Sequence, residues 1–158
     1  MKEAGLTHGG FYAHFASRDA LLAEALDRAG RDSAAHAEKA AASRPTRGAS
    51  SFRALVENYL SDRHLASTEN GCPVAGLVSE MPRQAPEVRA VAAQSVRRLF
   101  ATVQHALAEA QPDSCAVIAA HLVGALQLAR ALGDNAEGKA LLAAARRHLL
   151  SQYDKRLH

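Results

Sequence analysis

Tryptophan is absent from this chain of 158 residues, and Phe and Tyr together make up only 4% of it. Residues branched at Cβ are sparse as well, which argues against extended sheet. Two cysteines, Cys72 and Cys115, are too few for a disulfide framework in a chain of this length. A reduced, cytoplasmic setting follows as the expectation. Charge of one sign is not in large excess: the formal net charge is +3, and alone it does not argue for nucleic acid. Residues 1–4, Met-Lys-Glu-Ala, lack the apolar core of a signal peptide. Only residues 115–132 approach the length of a membrane span, and they contain His121, Gln127 and Arg130, which are expensive in lipid. This run is expected to be a helix buried by packing on both sides. No strand pattern, repeat or low-complexity tract occurs.

Signatures of catalysis are missing too. There is no glycine-rich phosphate loop, no nucleophile elbow and no His-Glu-x-x-His zinc motif, so an enzyme is not expected. Glu24, Asp27 and Asp32 cluster at a spacing that suits a solvated helix face. His64, His105 and His121 stand far apart without ligand spacing, so neither a metal site nor a cofactor is expected.

What the chain has in quantity is Ala and Leu, the strongest helix formers. The fold class is therefore all-α. Ser17 is placed to cap a helix, with Asp19 in its first turn. Leu21, Leu22, Ala25, Leu26 and Ala29 carry that helix forward to about Ala42. Residues 43–48, Ser-Arg-Pro-Thr-Arg-Gly, break it. Phe52, Leu55, Val56, Tyr59 and Leu60 predict a helix ending near Leu65, followed by a loop over 67–73. A short helix over 74–81 is closed by Pro82, and Pro86 suits the first turn of a long amphipathic helix through Leu107. Pro112 and Asp113 open the apolar helix, Gly133-Asp-Asn turns the chain, and a last helix carries Leu141, Leu142, Ala145, Leu149 and Leu150.

The stretch Gly5-Leu6-Thr7-His8-Gly9-Gly10-Phe11-Tyr12-Ala13-His14-Phe15 reads as a helix-turn-helix corner. Gly5 can take the bend, Leu6 can plug it, and Thr7 can cap the next helix with its amides facing a phosphate. Phe11 and Phe15 point to one face, and His8, Gly9, Tyr12 and Ala13 to the other. Together with Ser17-Arg18-Asp19-Ala20-Leu21-Leu22, this pattern resembles the recognition helix and following helix start of the TetR/AcrR family of transcriptional regulators. The resemblance implies that Thr7, Tyr12, His14 and Arg18 meet the DNA backbone, and that His8, Gly9 and Gly10 approach base edges. Family members place one full helix and most of a second ahead of this point, so a truncated DNA-binding segment is expected over 1–42.

For residues 48–158 the resemblance implies an all-helical effector-binding and dimerisation domain. The expected function is a ligand-responsive repressor that releases a double-stranded operator when a small molecule binds. The competing reading is a dimeric small-molecule-binding protein that has lost DNA contact through truncation. A homodimer is expected through the last two helices, where Ala119, Ala120, Gly124 and Ala125 permit close approach. No membrane partner is expected. Polar interruptions of apolar faces mark His64, Met81, Phe100, Gln104, His121 and Gln127 as candidates to line an effector pocket. Cys72, in the Asn70-Gly-Cys-Pro73 segment that resembles a Gly-Cys-Pro start in some family branches, is a candidate thiol sensor. A small capping or core cysteine is the simpler account of it.

Overall fold

The computed structural model describes residues 14–43, 50–69, 71–107 and 112–154. Among these every regular element is helical. Helix α1 spans Arg18–Ser43, α2 Ser51–Tyr59, α3 Asp62–Ala66 and α4 Pro73–Leu77. A 3₁₀ helix over Val78–Arg83 follows, then α5 over Pro86–Ala106, α6 over Pro112–Leu132 and α7 over Ala136–Tyr153.

Short polar side chains fix where the helices begin. The Ser17 hydroxyl accepts from the Ala20 amide at 2.9 Å, and the Ser50 hydroxyl from the Arg53 amide at 2.9 Å. Asn135 accepts from the Glu137 and Gly138 amides and so opens α7. Each such cap satisfies an amide that the first turn leaves orphaned. Between α6 and α7 the chain turns at Gly133, whose φ of 100° favours glycine.

The helix expected to run to Leu65 is in fact two. Leu60 leaves helical geometry, and Ser61, extended, caps a new short helix by accepting from the His64 amide at 3.1 Å. The Leu60 carbonyl, freed by the break, accepts instead from the Arg146 guanidinium of α7. Similarly, the short helix expected over 74–81 tightens after Leu77 into 3₁₀ geometry that contains Pro82 rather than stopping before it. Proline lacks the amide that an α-helical turn would need there.

One core joins α2, α6 and α7, with the C-terminal part of α5 against it. Phe52, Leu55, Ile118, Leu122, Leu126, Leu142 and Leu149 are almost fully buried in it. Burial of each such side chain contributes about 1.5–3 kcal/mol. A smaller satellite core gathers Leu26 of α1, Met81 of the 3₁₀ helix, and Val88 and Ala92 of α5. It seats the first half of α1. The Arg98 guanidinium of α5 reinforces that seam by pairing with the Asp27 carboxylate at 2.6 Å. Asp27 is thus not on a purely solvated face; only Glu24 and Asp32 stay exposed.

Helix α6 departs from the expected double packing. Ile118, Leu122, Leu126 and Ala129 face the core, but Val117 and Leu128 are each 60% exposed and Leu132 is 39% exposed. Its length and apolarity match a membrane span, yet one side is core and the other an open ridge. The small residues divide the same way. Ala119 and Ala125 pack inside their own subunit, whereas Ala120 and Gly124 lie on the open side. A Cβ added to Gly124 would meet nothing within 4 Å.

Candidate functional site

Of the residues expected to contact DNA, Thr7, His8, Gly9, Gly10 and Tyr12 lie outside the described residues. His14 is exposed, and Arg18 is exposed at the start of α1.

The six candidates for an effector pocket are not brought together. Met81 belongs to the satellite core, and Phe100 packs half-buried against the main one. Gln104 is exposed. His121 lies beside His148 of α7, ring centroids 5.4 Å apart, and burial followed by the neighbouring imidazole pushes its pKa down. Of the six, Gln127 lines a cleft of substantial size, and His64 stands just behind its wall.

That cleft has a volume of about 440 Å³ and lies between α6, the loop before α4, α4 itself and α1. This is within the range of small-molecule sites. Gln127 and Arg130 of α6 supply one wall, and Thr68, Glu69 and Gly71 come from the loop. Pro73, Ala75 and Leu77 of α4 and Ala29 of α1 give an apolar side.

The polar wall is built backward from Arg130. Its Nη2 donates to the carbonyls of His64 at 2.9 Å and Ser67 at 3.0 Å, which ties α6 to the segment leaving α3. Its Nε is buried without a hydrogen-bond partner. Gly71 is required here by close approach: a Cβ would fall 2.8 Å from Arg130 Nη2, 2.8 Å from the Ser67 carbonyl and 2.9 Å from His64 Nε2. His64 in turn has both ring nitrogens engaged. Nδ1 lies 2.7 Å from the Tyr59 carbonyl and must donate to it, so the imidazole is neutral and its Nε2 accepts from the Cys72 amide at 3.1 Å. Burial pushes the His64 pKa down, against the backbone bond to Tyr59 that raises it. Tyr59 meets the His64 ring edge-on at 4.9 Å. Its hydroxyl is buried beside the Cys72 thiol, and burial, followed by that thiol, drives its pKa far up.

Cys72 is 6% exposed and opens α4, but its side chain makes no cap hydrogen bond. Cys115 is buried in the main core, which pushes its thiol pKa up. Among the described residues no three His, Cys, Asp or Glu side chains group as metal ligands.

Sequence reasoning missed Arg130 as a site residue. The signal was present: a cation inside the most apolar run of the chain demands a polar partner. In the sequence alone it serves only as a mark against lipid. Gly71 and Ala29 carried no such signal, since close approach and cleft walls are set by tertiary packing.

No curated protein matches the chain. A family model described as the C-terminal domain of tetracyclin repressor-like proteins matches residues 48–149, which takes in α2 through most of α7 and most of the cleft. That domain is a regulatory one and not an enzyme fold. With more than half of the sequence inside the match, an all-helical architecture and a ligand-sized cleft, the chain belongs to the TetR family of regulators.

Proposed function

We propose that this chain is a repressor that binds a palindromic operator as a homodimer and releases it when a small molecule enters the cleft. Residues 1–42 serve the DNA end and residues 48–158 the effector and dimer functions. The observation that carries the reading is the course of α1. This single helix, Arg18–Ser43, starts directly behind the recognition-type stretch and reaches the cleft, where Ala29 forms part of the wall. A ligand that pushes on that wall acts on the helix attached to the DNA-contacting residues. The mechanism is a population shift toward a spacing of recognition helices that mismatches the groove. Thr7, Tyr12, His14 and Arg18 contact phosphates, and His8, Gly9 and Gly10 approach base edges.

The open ridge of α6, with Val117, Ala120, Gly124 and Leu128, supports dimerisation against a second copy. Exposed apolar rows of this kind are uncommon on monomers. In the four-helix contact of α6 and α7 with their mates, Ala120 and Gly124 allow the backbones to approach. The protein acts in the cytoplasm and needs no cofactor. Cys72 is assigned a packing role, because its thiol is buried against Tyr59 and opens a helix of only five residues.

Fluorescence anisotropy with duplex DNA from upstream of its own gene tests the proposal. Binding is expected to be sequence-selective and to weaken about a hundredfold or more between roughly 50 and 200 mM salt. Absence of selective binding by a folded dimer would instead favour the effector-binding protein without DNA contact.

A further inference from the structure

We infer that the cleft takes a small molecule bearing a carboxylate, with Arg130 as the group that reads it; this rests on the assignment of the cleft as the effector site. Arg130 carries a permanent charge. Among the described residues it forms no ion pair, although Arg53, Arg83, Arg98 and Lys139 all do. Its Nη2 donates to two backbone carbonyls, which hold the guanidinium in place without neutralising it. Nε is buried with no acceptor. The result is an oriented, uncompensated guanidinium in the cleft wall: carbonyls hold both Nη2 hydrogens and Nε is buried, so Nη1 is the nitrogen left to meet an anion.

Gln127 lies one turn earlier on the same helix and lines the same wall, adding an amide donor beside the charge. A single guanidinium matches the single charge of a carboxylate. The opposite side, with Ala29, Pro73, Ala75 and Leu77, takes the hydrocarbon body. Amines are disfavoured by the sign of Arg130. The opposing feature is Glu69, which also lines the cleft but is exposed and beyond ion-pair distance of Arg130. Its charge weakens the attraction without cancelling it.

Isothermal titration of the full chain with octanoate and phenylacetate, against octanol and phenylethanol as neutral counterparts, tests the inference. The acids are expected to bind about tenfold or more tightly than the alcohols, the size of a charge-assisted hydrogen bond. Arg130→Gln is expected to erase that preference while the alcohols still bind. Glu69→Gln leaves every described hydrogen bond in place, and it is expected to tighten acid binding severalfold while leaving the alcohols unchanged. Equal or tighter binding of the alcohols, or no response to Glu69→Gln, overturns the carboxylate assignment and leaves the cleft as an effector site. Failure of all four compounds to bind overturns both.

Discussion

At the scale of residues, the loop before α4 is organised by a chain of contacts in which each member fixes the next. Arg130 holds two carbonyls, Gly71 passes close enough that a side chain would collide, and His64 receives the Cys72 amide. Gly71→Ala should therefore destabilise the protein by about 1–3 kcal/mol, the usual penalty for overpacking, read as a lower urea midpoint with an unchanged slope. His64 makes a separate, pH-dependent prediction. Its folded pKa lies below that of the unfolded chain because burial disfavours the imidazolium, and His121 is shifted in the same direction. The unfolded state then binds more protons below pH about 6.5, so stability is complete above that point and declines as pH falls through it. Melting temperature should fall between about pH 7.5 and 5, and His64→Gln should flatten the slope. A melting temperature that rises on acidification would contradict the neutral tautomer argued from the two ring contacts. None of this chain of contacts was legible in the sequence, because it joins residues as far apart as Ser67 and Arg130 through backbone carbonyls.

At the scale of elements, most helices were legible, since their limits depend on local capping and periodicity. Ser17, Pro86 and Pro112 mark starts where the structure has them. The misreadings share one cause. Apolar spacing continues through Leu60 and Leu65, so periodicity alone predicts one helix there, while the Ser61 cap and the Arg146 bond to Leu60 make two. In α6, composition alone predicts burial all round, whereas packing covers only one side. That exposed side yields a prediction. Val117→Glu with Leu128→Glu should leave helicity unchanged but convert the proposed dimer to a monomer in light scattering after gel filtration, because two carboxylates per subunit would be desolvated in the proposed seam. Helix α1 yields another. Arg98→Ala removes the ion pair to Asp27 and leaves the satellite core alone to hold the first half of the helix. Amide exchange in residues 20–30 should quicken, while exchange in α7 should not.

At the scale of the whole molecule, the family was legible from the short stretch that resembles a recognition helix, and residues 48–149 match the family's regulatory domain independently of it. The two stretches thus point to one family through different residues. The cleft was hardly legible, because only Gln127 among the six candidates lines it. Its walls come from α1, α4, α6 and a loop, and their convergence is a product of tertiary packing. In the proposed repressor, paired recognition helices follow the two-fold axis of a dimer formed across the α6 ridge. Selection of bound duplexes from a random DNA pool tests that claim most directly. A two-fold repressor should enrich an inverted repeat with half-site centres about one helical turn, or a whole number of turns, apart. Enrichment of a single asymmetric site, or of no sequence at all, would contradict it.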